Sequence, residues 1–169
     1  MVNQKKPRIL ALDPGTRYLG FAVLHGHELL YHGVKVLPQR RNRALTSLAA
    51  RRAVSEIIQH LQPSVLALED SFHSRTKRMA AQVALVRTLR TLGHKNGLTT
   101  VSYAPSTVRK FLCGSGWAGK RDVAIMVTLK YPELRPYVVR ERQWKERFHG
   151  HMFDAVAVGL LALSKLRRR

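Results

Sequence analysis

The tetrad Leu10-Ala11-Leu12-Asp13 recurs as Leu66-Ala67-Leu68-Glu69, so that a short apolar run ends in a carboxylate twice. Neither run has a helical period, and runs of this length between turn signals read as strands buried on both faces. Pro14-Gly15 turns the chain after the first, and Tyr18 to Leu24 supplies a second strand. His25-Gly26-His27 reads as a hairpin turn leading to a third strand, Glu28 to Leu37. Asn42 to Leu61 carries Leu45, Leu48, Ala49, Ala53, Ile57, Ile58 and Leu61 as a helical stripe, ended by Pro63. With that helix as the crossover, the two tetrads become parallel neighbours. Both acids then emerge at one C-terminal edge, where open α/β sheets place their ligands. Asp70 follows directly, but strand alternation turns it to the opposite face.

Downstream, Ser71 to Lys77 is a polar, basic loop and Met79 to His94 a second amphipathic helix, followed by a strand from Leu98 to Ala104. Pro105 opens a helix over Ser106 to Phe111. The glycine-rich loop Gly114 to Gly119 leads into a helix from Lys120 to Lys130 and matches neither the P-loop nor the dinucleotide spacing. Tyr131 to Phe148 is the least regular stretch, with two prolines and a charged run around Trp144. Basic and aromatic residues interleaved in this way suit a strand-gripping loop, and they suit a solvated insertion equally well. The last helix is expected from near His149 through Ala155 to Leu163, with Arg167-Arg168-Arg169 as a basic tail. The chain therefore reads as one domain with a basic insertion at 131–148.

Charge says what such a sheet edge works on. Thirty Lys and Arg against ten Asp and Glu give a formal net charge of +20, self-repulsion that is tolerable mainly beside a polyanion, and nucleic acid is the first expectation. No apolar run reaches the length of a membrane span and the N-terminus lacks a signal-peptide core, so a cytoplasmic protein with no membrane partner is expected. The single Cys113 has no internal disulfide partner and reads as a small buried hydrophobe. His25 and His27 read as turn residues.

Three of the few acids, Asp13, Glu69 and Asp154, are embedded in apolar sequence. Asp154 heads Ala155-Val156-Ala157-Val158, with His151 beside it at i−3 on the same helical face. Three carboxylates at one edge repel unless divalent cations neutralise them, and oxygen ligands favour Mg²⁺ or Mn²⁺ over zinc. Two such ions clamp a phosphodiester, which on a basic chain points to a nuclease. The alternative is that the acids form buried salt bridges to the abundant Arg, leaving a binding protein without catalysis.

At these residues the sequence resembles the RuvC family of Holliday junction resolvases in the ribonuclease-H-like superfamily. LALDPGTRYLGFAV is similar to the family's first strand and turn, LALEDSF to its second acidic strand, VRKFLCGSGWAGKRDV to its basic segment, and HGHMFDAVAVGLLAL to its terminal helix. The resemblance implies a five-stranded mixed sheet flanked by helices and a metal set of Asp13, Glu69, His151 and Asp154. Two Mg²⁺ per site are implied, with Mn²⁺ able to substitute. Lys120 would stabilise phosphate charge and Arg109 grip the backbone. Phe72 would enter the opened junction, with Arg75, Lys77, Arg78 and Lys110 as further DNA contacts. It also implies a homodimer that resolves four-way DNA junctions by paired symmetric nicks in recombination and repair, with branch-migration machinery as a further partner. A RuvC-like nuclease acting on other branched DNA or RNA, and a junction-binding protein without catalysis, are the rival readings. The stretch from Tyr131 to Phe148 departs from the family, being about a dozen residues longer than such connections usually are.

Overall fold

Alternation along the central strand decides which helices cover each face of the sheet. In the computed structural model, which describes residues 6–38, 43–70, 77–138 and 143–167, that strand is β1 (Arg8–Pro14). It pairs antiparallel with β2 (Tyr18–His25), which pairs antiparallel with β3 (Glu28–Val36). On its other side β1 runs parallel to β4 (Val65–Glu69), and β4 runs parallel to β5 (Thr99–Tyr103). The five-stranded sheet thus has the order β3-β2-β1-β4-β5, the mixed sheet expected from the sequence.

Leu10 and Leu12 of β1, with Leu66 and Leu68 of β4, pack in one core with α1 (Arg43–Leu61) and α2 (Lys77–Lys95). Ile9 and Ala11, with Val65 and Ala67, face the other core, built with α3 (Pro105–Cys113), α4 (Lys120–Lys130) and α5 (Gln143–Leu166). Both faces are covered, which is why the strands read as unbroken apolar runs. No helix among the described residues is long and apolar enough to cross a membrane.

Two expectations shift. In α1 the buried residues are Ala50, Ala53, Val54 and Ile58, while Leu45 and Leu48 are 38% and 42% exposed. Apolar residues occupy so much of this helix's circumference that sequence sets its period but not its phase, and packing selects the phase. The last helix starts at Gln143, six residues before the expected His149, and a 3-10 turn over Pro132–Tyr137 replaces part of the irregular stretch. Gln143 to Arg147 are good helix formers with no apolar period, a kind of helix start that a search for a buried stripe passes over. Phe148 then anchors that turn edge-on against Tyr18 of β2, with ring centroids 5.3 Å apart.

Candidate active site

The register of β1 and β4 pairs Ile9 with Val65 and continues to Leu12 with Leu68, so the next residues, Asp13 and Glu69, end side by side at the C-terminal edge. Neighbouring strands lie about 4.8 Å apart, and both acids continue the alternate set that faces α5. Asp70, one step on, turns to the other face. Its carboxylate accepts a 2.6 Å hydrogen bond from Arg90 of α2, which also donates to Ser102 Oγ.

Close approach of α5 supplies the remaining members. A Cβ on Gly20 would sit 1.9 Å from the His151 carbonyl oxygen, and one on Gly159 would sit 2.4 Å from Leu24 Cδ1, so the helix lies at a depth that only bare backbone at these positions permits. That depth brings His151 Nδ1 to 2.5 Å from Asp13 Oδ2, to which it donates. Asp154, 7% exposed, faces Lys120 at the head of α4, with Nζ 3.4 Å from Oδ2.

Charge is crowded here. Burial pushes the Glu69 carboxyl up to about 9, and the neighbouring charges of Asp13 and then Asp154 add to the shift, while Arg109 and Lys120 oppose it. Burial and Asp13 push Asp154 to about 6, against the pull of Lys120 and His151. Glu69 therefore feels both aspartates, and Asp154 feels Asp13. Among the described residues neither Asp13 nor Asp154 is locked to an arginine; their partners are His151 and Lys120, and Arg90 pairs with Asp70 instead.

Among the described residues no group of three or more His, Cys, Asp or Glu is arranged to hold a metal ion as it stands. Asp13 is turned to His151 and Asp154 to Lys120. The donors themselves suit a hard divalent cation. Three carboxyl groups and an imidazole meet at one edge where burial and the Asp13 charge oppose ionisation of Glu69 and Asp154, a penalty that a divalent cation would relieve. A cavity of about 540 Å³, lined by His27, Phe111, Leu112, Lys130, Leu160, Leu163, Ser164 and Arg167, lies toward the far end of α5 and contains none of these acids. The acid cluster lies instead at the C-terminal edge of β1 and β4.

Residues 9–133 match the profile of the family described as "Crossover junction endodeoxyribonuclease RuvC". The chain belongs to the RuvC family. RuvC of Thermomicrobium roseum is 32% identical over 127 residues, spanning 72% of this chain and 77% of the relative. RuvC of Bradyrhizobium sp. is 28% identical over 134 residues, spanning 76% and 77%. The fold superposes on Thermus thermophilus RuvC in complex with a Holliday junction substrate with a TM-score of 0.70 at 23% identity, covering 91% of each chain. The family profile ends before α5, so the placement of His151 and Asp154 in this RuvC-family chain rests on the contacts just described.

The structure brings Asp13, Glu69, His151, Asp154 and Lys120 together and sets Arg109 within electrostatic reach of Glu69. Lys110 is exposed on α3. Phe72 and Arg75 lie outside the described residues, and Lys77 and Arg78 fall in the first turn of α2. Sequence reading passed over Tyr18 and Gly20. The Tyr18 ring packs 5.8 Å from the His151 ring, beneath the Arg17 guanidinium. A glycine inside an apolar strand signals close backbone approach, and Gly20 carried that signal.

Proposed function

We propose that the chain is a crossover junction endodeoxyribonuclease that resolves four-way DNA junctions by metal-dependent hydrolysis of a phosphodiester. One observation carries this reading: Asp13, Glu69 and Asp154, far apart in sequence, meet at one sheet edge with charges that disfavour one another. Family membership and the strongly basic chain support the choice of substrate.

Asp13, Glu69, His151 and Asp154 would hold two Mg²⁺ ions. Bound metal supplies an acidified attacking water and neutralises charge on the leaving oxygen. The protein's own groups do the rest. His151, held by Asp13 and packed on Tyr18, orients that carboxylate. Lys120, with its side chain half exposed, can turn from Asp154 to a phosphate oxygen whose charge grows in the transition state. Arg109 and Lys110 of α3 would hold the DNA backbone.

Two copies are proposed to act together, each nicking one of two opposed strands. The family resemblance, in which the helix Met79 to His94 corresponds to a helix of dimer contact, supports this, as do Ala80 and Ala84, which α2 leaves exposed. Branch-migration machinery is a further proposed partner. A labelled four-way junction incubated with Mg²⁺ tests the reading. Paired symmetric nicks are expected, and Asp13→Asn should abolish them while junction binding survives; cleavage by Asp13→Asn at the wild-type rate, or tight binding without cleavage under every divalent ion, would overturn it.

A further inference from the structure

Trp117 is 97% exposed, in the loop that joins α3 to α4. So large an apolar ring is normally at least half covered, and the loop around it is not loose. Gly114 ends α3 in the left-handed region at φ 79° and donates to the Lys110 carbonyl. Ser115 Oγ accepts from the Trp117 amide at 3.2 Å, and the Ala118 amide donates to the Ser115 carbonyl at 3.3 Å. Gly119 donates to Asp122 Oδ2 at 2.7 Å and so caps α4. A rigid turn thus holds out an indole that touches almost nothing of its own chain.

Both flanks of the indole are tied to the catalytic edge. Gly116 packs on Ser106, where a Cβ would lie 3.3 Å from the Ser106 carbonyl, and Ser106 stands three residues beyond the end of β5. Three residues after Trp117, Lys120 reaches Asp154. Three residues span at most about 10 Å and the Lys120 side chain about 6 Å more, so the loop lies within about three nucleotides of a phosphate held by the acids. Arg109, Lys110, Lys120 and Arg121 flank this loop in the chain, on α3 and α4. An aromatic face framed by cations is the arrangement that grips an unpaired nucleotide, with the base on the ring and the phosphate on the charges.

We propose that Trp117 stacks on an unpaired base of the cleaved strand within about three nucleotides of the scissile phosphate, and that this stack selects purine over pyrimidine there. The selectivity comes from stacking area, since the indole ring offers no hydrogen bond to the Watson–Crick edge of a base stacked on its face. The assignment rests on the resolvase reading and names the residue that reads sequence within it.

Junctions carrying either a purine or a pyrimidine at each position within about three nucleotides of the cut, and a set with 2-aminopurine at each, test it with the full chain. At saturating wild-type protein, purine junctions should be cut faster, and 2-aminopurine emission should be quenched on binding in Ca²⁺. Trp117→Ala should weaken junction binding about ten-fold, level the two cutting rates and leave the probe bright, whereas Trp117→Phe should restore most of both effects. Retention of the purine preference and the quenching by Trp117→Ala would overturn the proposal while leaving the resolvase reading in place. A fall in oligomeric mass caused by Trp117→Ala would overturn it too, because the ring would then be a subunit contact. If wild-type protein cuts no junction with Mg²⁺, the resolvase reading fails and takes this assignment with it.

Discussion

Replacing Glu69 by Gln should make the metal-free protein more stable at neutral pH, the opposite of what removing a buried partner usually does. In the folded chain this carboxyl holds its proton up to about 9, against 4.5 when unperturbed, because burial and the charges of Asp13 and Asp154 oppose ionisation. The sign follows from which state binds the proton. Below pH 4.5 both states carry it; above, the unfolded chain releases it and the folded chain does not, so stability falls as pH rises toward 9. Each pH unit in that window is worth about 1.4 kcal/mol, which makes the loss about 3 kcal/mol by pH 7. For a chain of this size that corresponds to a Tm change of roughly 6–12 °C. Thermal unfolding in EDTA from pH 5 to 8, wild type against Glu69→Gln, isolates the term, since the rest of the +20 charge is common to both. Wild-type Tm should drop relative to the variant as pH rises, and added Mg²⁺ should recover the loss in the wild type but little in the variant. Parallel Tm curves would show that the three carboxylates do not share one field, and the site would fall with them.

Three other perturbations separate the parts of the site. Lys120→Met should slow single-turnover cleavage about 100-fold while weakening junction binding less than about ten-fold; because Lys120 holds the Asp154 carboxyl down, the variant's rate should also rise only at more alkaline pH. Equal losses in rate and binding would assign Lys120 to grip alone. Gly20→Ala places a methyl group against the His151 carbonyl and should destabilise the fold by about 1–3 kcal/mol in urea unfolding, with cleavage lost even where the variant is folded. Asp70→Asn breaks the pair with half-exposed Arg90 and should cost about 1–2 kcal/mol of stability yet leave Mg²⁺-dependent nicking in place. Abolished nicking would move Asp70 into the catalytic set.

The two acidic tetrads were enough to read a parallel pair of buried strands with carboxylates at one end, because side-chain alternation and the crossover rule act on local pattern. The same alternation assigned Asp70 to the far face, where Arg90 meets it. His151 and Asp154 were legible as neighbours on one helix turn, since i, i+3 spacing is local too. What only the tertiary structure decided was how that helix meets the sheet. The phase of α1, the early start of α5 on the Phe148–Tyr18 contact, the depth at which α5 rests on the sheet through Gly20 of β2 and its own Gly159, and hence the pairing of His151 with Asp13 across the chain, all depend on packing between segments remote in sequence. Pattern records which face of an element is apolar; it holds no information on the distance at which two faces come to rest, and that distance sets the charges the carboxyls feel.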